Sequence, residues 1–280
     1  MASESRAAFS RGGRRGFVLA VDHGKEGGPM KSDDVALSID GVSVQFGGVW
    51  ALQEVGFELE AGTTLGLIGP NGAGKTTLLN VISRIHRDAK GDIRLHGESI
   101  ARLSPHHLTT RGLARTFQSP PALSELSVRE LLQIGYVAGQ NSRRGRHRLR
   151  RGSDDRLIDE VLAGLGLLEL RDEGCSSLAY AEQKLADLGR ALCQRPSVLL
   201  LDEPCAGLNA EEKREFVDVI RGVQEERPMS VVLVEHDIET VLAVSDRVLV
   251  LSFGRKIAET DPSRVMDLPE VRREYLGEAE

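Results

Sequence analysis

Thr64-Leu65-Gly66-Leu67-Ile68-Gly69-Pro70-Asn71-Gly72-Ala73-Gly74-Lys75-Thr76-Thr77 is the stretch from which the rest of the chain is read. Thr64–Ile68 has the length and apolar character of a buried strand, and a helix is predicted from about Gly74. Between them lies the spacing G-x-x-x-x-G-K-[ST], which cradles nucleotide phosphates. Its glycines let successive backbone N–H groups turn inward with no side chain in the way. The helix that follows adds its positive N-terminal end. Lys75 has the reach to meet the β- and γ-phosphates, and the Thr76 hydroxyl suits Mg²⁺. Gly69, Asn71, Gly72, Ala73, Gly74, Lys75, Thr76 and Thr77 are therefore assigned to the nucleotide.

A second apolar strand, Val198–Leu201, ends in Asp202-Glu203-Pro204. Side chains alternate along a strand, so the two carboxylates point in different directions. Asp202 suits the Mg²⁺ side, directly or through water. Glu203 suits a general base or positioner for the attacking water. An exposed acidic turn is the bland reading of this pair, and the upstream phosphate cradle argues against it.

Composition limits what else the chain can be. With 280 residues there is room for one large domain or two small ones, and apolar segments recur from about residue 36 onward, which excludes wholesale disorder. No stretch approaches the ~20 apolar residues needed to span a bilayer. Cys175, Cys193 and Cys205 are odd in number and share no metal-ligand spacing, which suits a reducing compartment. The net charge of −6 speaks against nucleic acid as a partner.

Residues 1–34 carry Arg6, Arg11, Arg14 and Arg15 among Ser and Gly without a sustained pattern, and are expected to be a disordered leader. From Val35 the pattern becomes α/β, with short apolar runs alternating with helical stretches, which reads as a largely parallel sheet. Val231–Val234 is a further buried strand. Leu126 to Leu170 reads as helices interrupted by a basic loop at about 140–156, with six arginines between Arg143 and Arg151 inclusive.

Further motifs make the chain resemble the ATP-binding subunit of an ABC transporter over about residues 36–278. Gln118 in Arg115-Thr116-Phe117-Gln118 resembles the Q-loop glutamine. Leu178-Ala179-Tyr180-Ala181-Glu182-Gln183 resembles the ABC signature, and Cys205-Ala206-Gly207-Leu208-Asn209 the D-loop. His236 in Val234-Glu235-His236-Asp237 resembles the switch histidine, and Phe46 the aromatic that stacks on adenine. Trp50 is read as a packing residue. The resemblance implies an α/β P-loop ABC ATPase fold at 35–280, with a RecA-like core, an antiparallel β subdomain and an inserted α-helical subdomain at about 120–193. It assigns catalysis to Glu203, His236, Gln118 and Lys75, and Mg²⁺ to Thr76, Gln118 and Asp202.

Within that family the chain is similar to the branched-chain amino acid uptake group, and to the larger of its two ATPases. The stretches that carry this are Gly112–Gln118, Tyr180, Asp202–Asn209, Glu235-His236-Asp237 and the ending Glu270–Gly277. Sister importers for urea or other amides share close relatives of these motifs, so the substrate stays open. The resemblance implies a second ATPase subunit, the same or a different chain, that closes on ATP. It also implies two membrane permease subunits, indirect contact with an extracytoplasmic substrate-binding protein, and a peripheral place on the cytoplasmic membrane face. Two departures stand out: Ala179 replaces the usual serine, and Ala181 the usual glycine. If position 181 requires a positive φ, alanine costs about 1–2 kcal/mol and implies a slow site or a regulatory subunit; if it requires only room, a small shift absorbs the methyl.

Overall fold

The computed structural model describes residues 35–117, 125–140 and 151–276. The expected leader, Gln118 and the run 141–150 lie outside the described residues. The first strands are β1 (Val35–Phe46) and β2 (Val49–Glu60), followed by β3 (Thr64–Ile68) and α1 (Lys75–Ile82). Next come β4 (Lys90–Leu95), β5 (Glu98–Ser99), α2 (Pro105–Thr110) and β6 (Leu113–Arg115). Three helices, α3 (Val128–Gln140), α4 (Arg151–Gly164) and α5 (Tyr180–Cys193), precede β7 (Val198–Asp202). The chain continues with α6 (Ala210–Glu226), β8 (Ser230–Val234) and α7 (Ile238–Val244), and closes with β9 (Arg247–Ser252), β10 (Arg255–Thr260) and α8 (Pro269–Leu276).

These strands form two sheets. β2-β1-β4-β5 is antiparallel, and β10-β9-β3-β8-β7-β6 is parallel apart from its β10 edge. All five residues of β3, β7 and β8 are buried, as expected for strands covered on both faces. Their alternation sorts the core. Leu199, Leu201, Val231 and Leu233 point into a cluster with α3, α4, α5 and α6. Val198, Leu200, Val232 and Val234 point into a second cluster with α1 and the antiparallel sheet. Each fully buried Leu or Val contributes about 1.5–3 kcal/mol to holding this sheet between its two layers.

The basic loop expected at 140–156 is contradicted at both of its ends. Gln140 closes α3 and α4 begins at Arg151, so 151–156 are helical. Charge density misled there because a solvated helix carries charges as readily as a loop does. The Arg156–Glu160 pair, 2.8 Å apart at i,i+4, supports the helix from its surface.

The parallel register decides where the chemistry collects. Leu67 lies opposite Val234, Val234 opposite Asp202, and Leu200 opposite Arg115. The C-terminal ends of β3, β8, β7 and β6 therefore emerge side by side on one edge. That edge is where ligands bind in open α/β sheets.

Candidate nucleotide site

The turn after β3 is built on backbone conformations that side chains resist. Gly72 has φ +82° and Gly74 φ +102°. A Cβ on Gly74 would also stand 2.5 Å from the Ala51 carbonyl oxygen of β2. Glycine is thus required at 74 for space as well as for dihedral angle. The same close approach seats the β1–β2 hairpin against the phosphate loop. Ala73 is buried, and its carbonyl accepts the Gly254 N–H at 3.0 Å from the β9–β10 turn. Asn71, Thr76 and Thr77 are exposed or half-buried at the mouth.

Lys75, the first residue of α1, is buried. Its Nζ donates to the carbonyls of Gly69 at 2.6 Å and Pro70 at 3.0 Å. Burial pulls its ammonium below the ordinary lysine range, and the charges of Glu203 and Asp202 oppose that. A desolvated cation held across the loop by two carbonyls is ready to exchange them for phosphate oxygens.

Asp202 ends β7 and Glu203 follows in the left-handed region, at φ +48°. The Glu203 N–H is tied to the Val234 carbonyl at 2.9 Å, and its carbonyl accepts from Ala206 at 3.2 Å. Its carboxylate Oε1 lies 2.5 Å from His236 Nε2. Strained backbone, a buried carboxylate and an exposed imidazole thus meet beside Lys75 at the strand ends.

Asp202 is divided between two tasks. Its Oδ2 pairs with Arg115 Nη2 at 2.8 Å, whereas its buried Oδ1 makes no hydrogen bond among the described residues. An orphaned carboxylate oxygen beside a phosphate loop fits a Mg²⁺ site, since that ion uses one or two carboxylates and otherwise phosphates and water. Arg115 also donates to Asn80 Oδ1 and Ser83 Oγ of α1, both at 2.8 Å. Its own carbonyl accepts from Arg190 Nη2 at 2.8 Å. Arg190 pairs with Asp187 at 2.7 Å, and the Asp187 Oδ2 accepts the Phe117 N–H at 2.9 Å. Gln118, the expected next ligand, lies outside the described residues. None of Arg115, Asp187 and Arg190 was marked as a site residue by motif. Charged residues inside otherwise apolar stretches were the available signal.

Phe46 is half exposed at the end of β1, with its ring 4.9 Å from that of His86. It is not a core residue, which leaves its face open to a base. Trp50, expected to pack, is also substantially exposed. The β1–β2 register puts it opposite Gln45, on the other face from the Phe46–Val49 pair.

The residues 178–183 form the entry to α5. Leu178 is buried in the helical-layer core, and the Gln183 Nε2 donates to its carbonyl at 3.0 Å. Glu182 Oε2 accepts the Ala179 N–H at 2.8 Å, which is one half of a capping box; alanine has no oxygen to return the other half. Tyr180 is exposed and lies against Gly207, where a Cβ would come within 2.9 Å of its ring. Ala181 sits in the first turn with no positive φ, and its side chain is buried in the core. The conformational cost considered for alanine at this position therefore does not arise.

This constellation fits a phosphate-binding site at the edge of a parallel sheet, and comparison with known proteins gives the chain a family. Residues 52–206 match the ABC transporter family, and the chain belongs to that family as an ATP-binding, ATP-hydrolysing domain. It is 33% identical over 251 residues to the high-affinity branched-chain amino acid transport ATP-binding protein BraF of Pseudomonas aeruginosa, covering 87% of this chain and 98% of that one. It is 34% identical, with the same coverage, to LivG of Escherichia coli K12, described in the same words. Among solved structures, the ADP conformation of an ATP-binding cassette of an ABC transporter matches with a TM-score of 0.77 and 28% identity, over 88% of this chain and 99% of that one. A nucleotide-free cassette matches with a TM-score of 0.77 and 27% identity, over 88% and 100%.

Proposed function

We propose that this chain is the ATPase subunit of a membrane importer for branched-chain or other amino acids. The observation that carries the catalytic part is the Glu203–His236 contact of 2.5 Å beside Lys75. The importer part rests on relatives of that description aligned over nearly their whole length. Lys75 and the loop N–H groups bind the β- and γ-phosphates, and Phe46 receives the adenine. Glu203 takes a proton from the attacking water, and His236 holds Glu203 and reaches the γ-phosphate. Thr76 and Asp202, with Gln118, would hold Mg²⁺, which would neutralise charge on the phosphate oxygens.

Two such chains, or this one and a different ATPase subunit, close on two ATP molecules. Each nucleotide lies between the phosphate loop of one chain and the α5 entry of the other. Ala179 and Tyr180 are exposed there, and the first-turn N–H groups of a helix lack intrahelical partners. Charge on the γ-phosphate met from both sides favours the closed state, and its loss on hydrolysis releases it. Closure reaches two permease subunits through the segment that begins at Gln118. No described helix is long and apolar enough to cross a membrane, so attachment at the cytoplasmic face is through those partners. An extracytoplasmic binding protein supplies the substrate.

Purifying the tagged full chain from gently solubilised native membranes tests this reading. Two permease subunits and a second ATPase are expected, with uptake of a branched-chain amino acid lost on deletion. Recovery as a soluble species with ribosomes or nucleic acid would overturn it.

A further inference from the structure

Glu235 is a buried carboxylate, 2% exposed, that the scheme above does not use. The four residues before it, Val231 to Val234, are apolar and fully buried. An ionisable group that continues such a strand is costly to bury unless it is hydrogen-bonded. Its two oxygens are given to two backbone donors on different segments. Oε1 accepts the Cys205 N–H at 2.6 Å, and Oε2 accepts the His236 N–H at 3.3 Å. Cys205 opens the turn after Glu203 that leads to Asn209 and α6, and His236 reaches back to Glu203 Oε1 at 2.5 Å. The contacts close a ring that runs from Glu203 through Pro204 to Cys205, across the Glu235 carboxylate to His236, and back to Glu203.

We infer that Glu235 is a positioning residue for ATP hydrolysis, which sets the His236–Glu203 contact by bracing both the turn at Cys205 and the backbone of His236. This rests on the assignment of Glu203 and His236 made above. Two backbone bonds are what the ring needs, and only a carboxylate offers two acceptor oxygens at this span. An amide of the same volume accepts from one N–H and turns an NH₂ toward the other. The neighbouring carboxylate, Asp237, reinforces the placement from the other side. Its Oδ2 pairs with Lys213 of α6 at 2.5 Å while its Oδ1 caps the start of α7. His236 is thereby flanked by two acids, each anchored to the segment that follows Glu203. A shift of the 205–209 turn, such as closure onto a second ATPase would impose, moves the imidazole relative to the base. Burial raises the Glu235 carboxyl above the ordinary glutamate range, and the two N–H bonds oppose that.

The test compares Glu235→Gln, His236→Ala and the double variant in the purified full chain. ATP turnover is measured together with the affinity for a fluorescent ATP analogue and thermal melting. E235Q is expected to lower kcat about tenfold or more, with KM and analogue affinity within about twofold, as for an interaction used in the transition state. Added to H236A, it is expected to lower kcat by less than about twofold, because both changes act through one imidazole. A wild-type kcat in E235Q while H236A is impaired would overturn the role of Glu235 alone. Losses that multiply in the double variant, or a raised KM at unchanged kcat, would do the same. Undiminished turnover in H236A would overturn the assignment of His236 itself, and this inference with it. Should E235Q not fold, Glu235→Asp, which keeps the charge but not the span, is read by the same criteria.

Discussion

Glu203 is held in a conformation that glutamate rarely adopts, at φ +48°, and its own N–H is spent on tying β7 to β8. Such strain persists only where surrounding bonds over-determine it. Glu203→Gln keeps the shape and those bonds but removes the carboxylate proposed as the base. Turnover is expected to fall by about 10²–10⁴-fold while ATP binding is retained. The variant should also accumulate as an ATP-dependent dimer, which size-exclusion chromatography with light scattering would detect. Ala181 gives the opposite expectation. Its backbone is helical and its methyl is buried, so Ala181→Gly should leave turnover of the assembled complex unchanged and lower stability by up to about 1 kcal/mol. Faster turnover in that variant would revive the idea of a slow site. The acid pair was read from its place at the end of an apolar strand, and the histidine from its resemblance to the family's motif. The bearing of Ala181 was not, because dihedral angles are absent from a motif.

The α5 entry and the α6–α7 contact are held together by bonds that single residues can complete or break. Ala179→Ser supplies the missing half of the capping box with Glu182, and is expected to raise stability by about 1 kcal/mol, read as a higher Tm. Lys213 and Asp237 join α6 to the start of α7. The hydrogen bond from Lys213 holds the Asp237 carboxyl below its ordinary 3.8, and the bond to Asp237 holds the Lys213 ammonium above 10.5. A carboxyl depressed on folding contributes stability that is complete above its unfolded value and is lost as pH falls through the folded one. An ammonium raised on folding contributes below its unfolded value and loses it as pH rises through the folded one. The pair therefore acts throughout the neutral range. Lys213→Met is expected to cost about 0.2–1 kcal/mol at pH 7 for a partly exposed pair, with the difference from wild type vanishing as pH falls through the depressed value of Asp237. Denaturant melts across pH would measure it. The sequence reading placed helices over 126–170 but put the start of α4 too late, because charged residues mark solvent exposure rather than loop.

Across the molecule, Arg115 joins elements that are far apart in the chain. Its guanidinium bonds to α1 and to Asp202, its carbonyl is held by Arg190 of α5, and Asp187 beside Arg190 fixes Phe117, the residue before Gln118. Phosphate loop, metal-side carboxylate and α5 are thus fastened at one buried point. Removing a partner from a buried pair leaves an uncompensated charge, so Arg115→Met is expected to cost about 3–5 kcal/mol. It should also weaken the Mg²⁺ dependence of nucleotide binding, because the Asp202 oxygen facing away from Arg115 is no longer fixed. Calorimetric titration with and without Mg²⁺ would show whether it does.

The phosphate loop, the carboxylates after Val198–Leu201 and the alternation of strands with helices follow from local order along the chain. That is because each rests on residue spacing: glycines at fixed offsets, apolar runs of strand length, polar residues at their ends. What could not be read there is how the strand ends line up. The parallel register places Asp202 opposite Val234 and Arg115 opposite Leu200, and so brings together Glu203 with His236, Cys205 with Glu235, and Arg115 with Asp202. These pairs are separated by 30 to 87 positions, and hydrogen bonds over such spans are set by strand pairing and core packing, which no local pattern encodes.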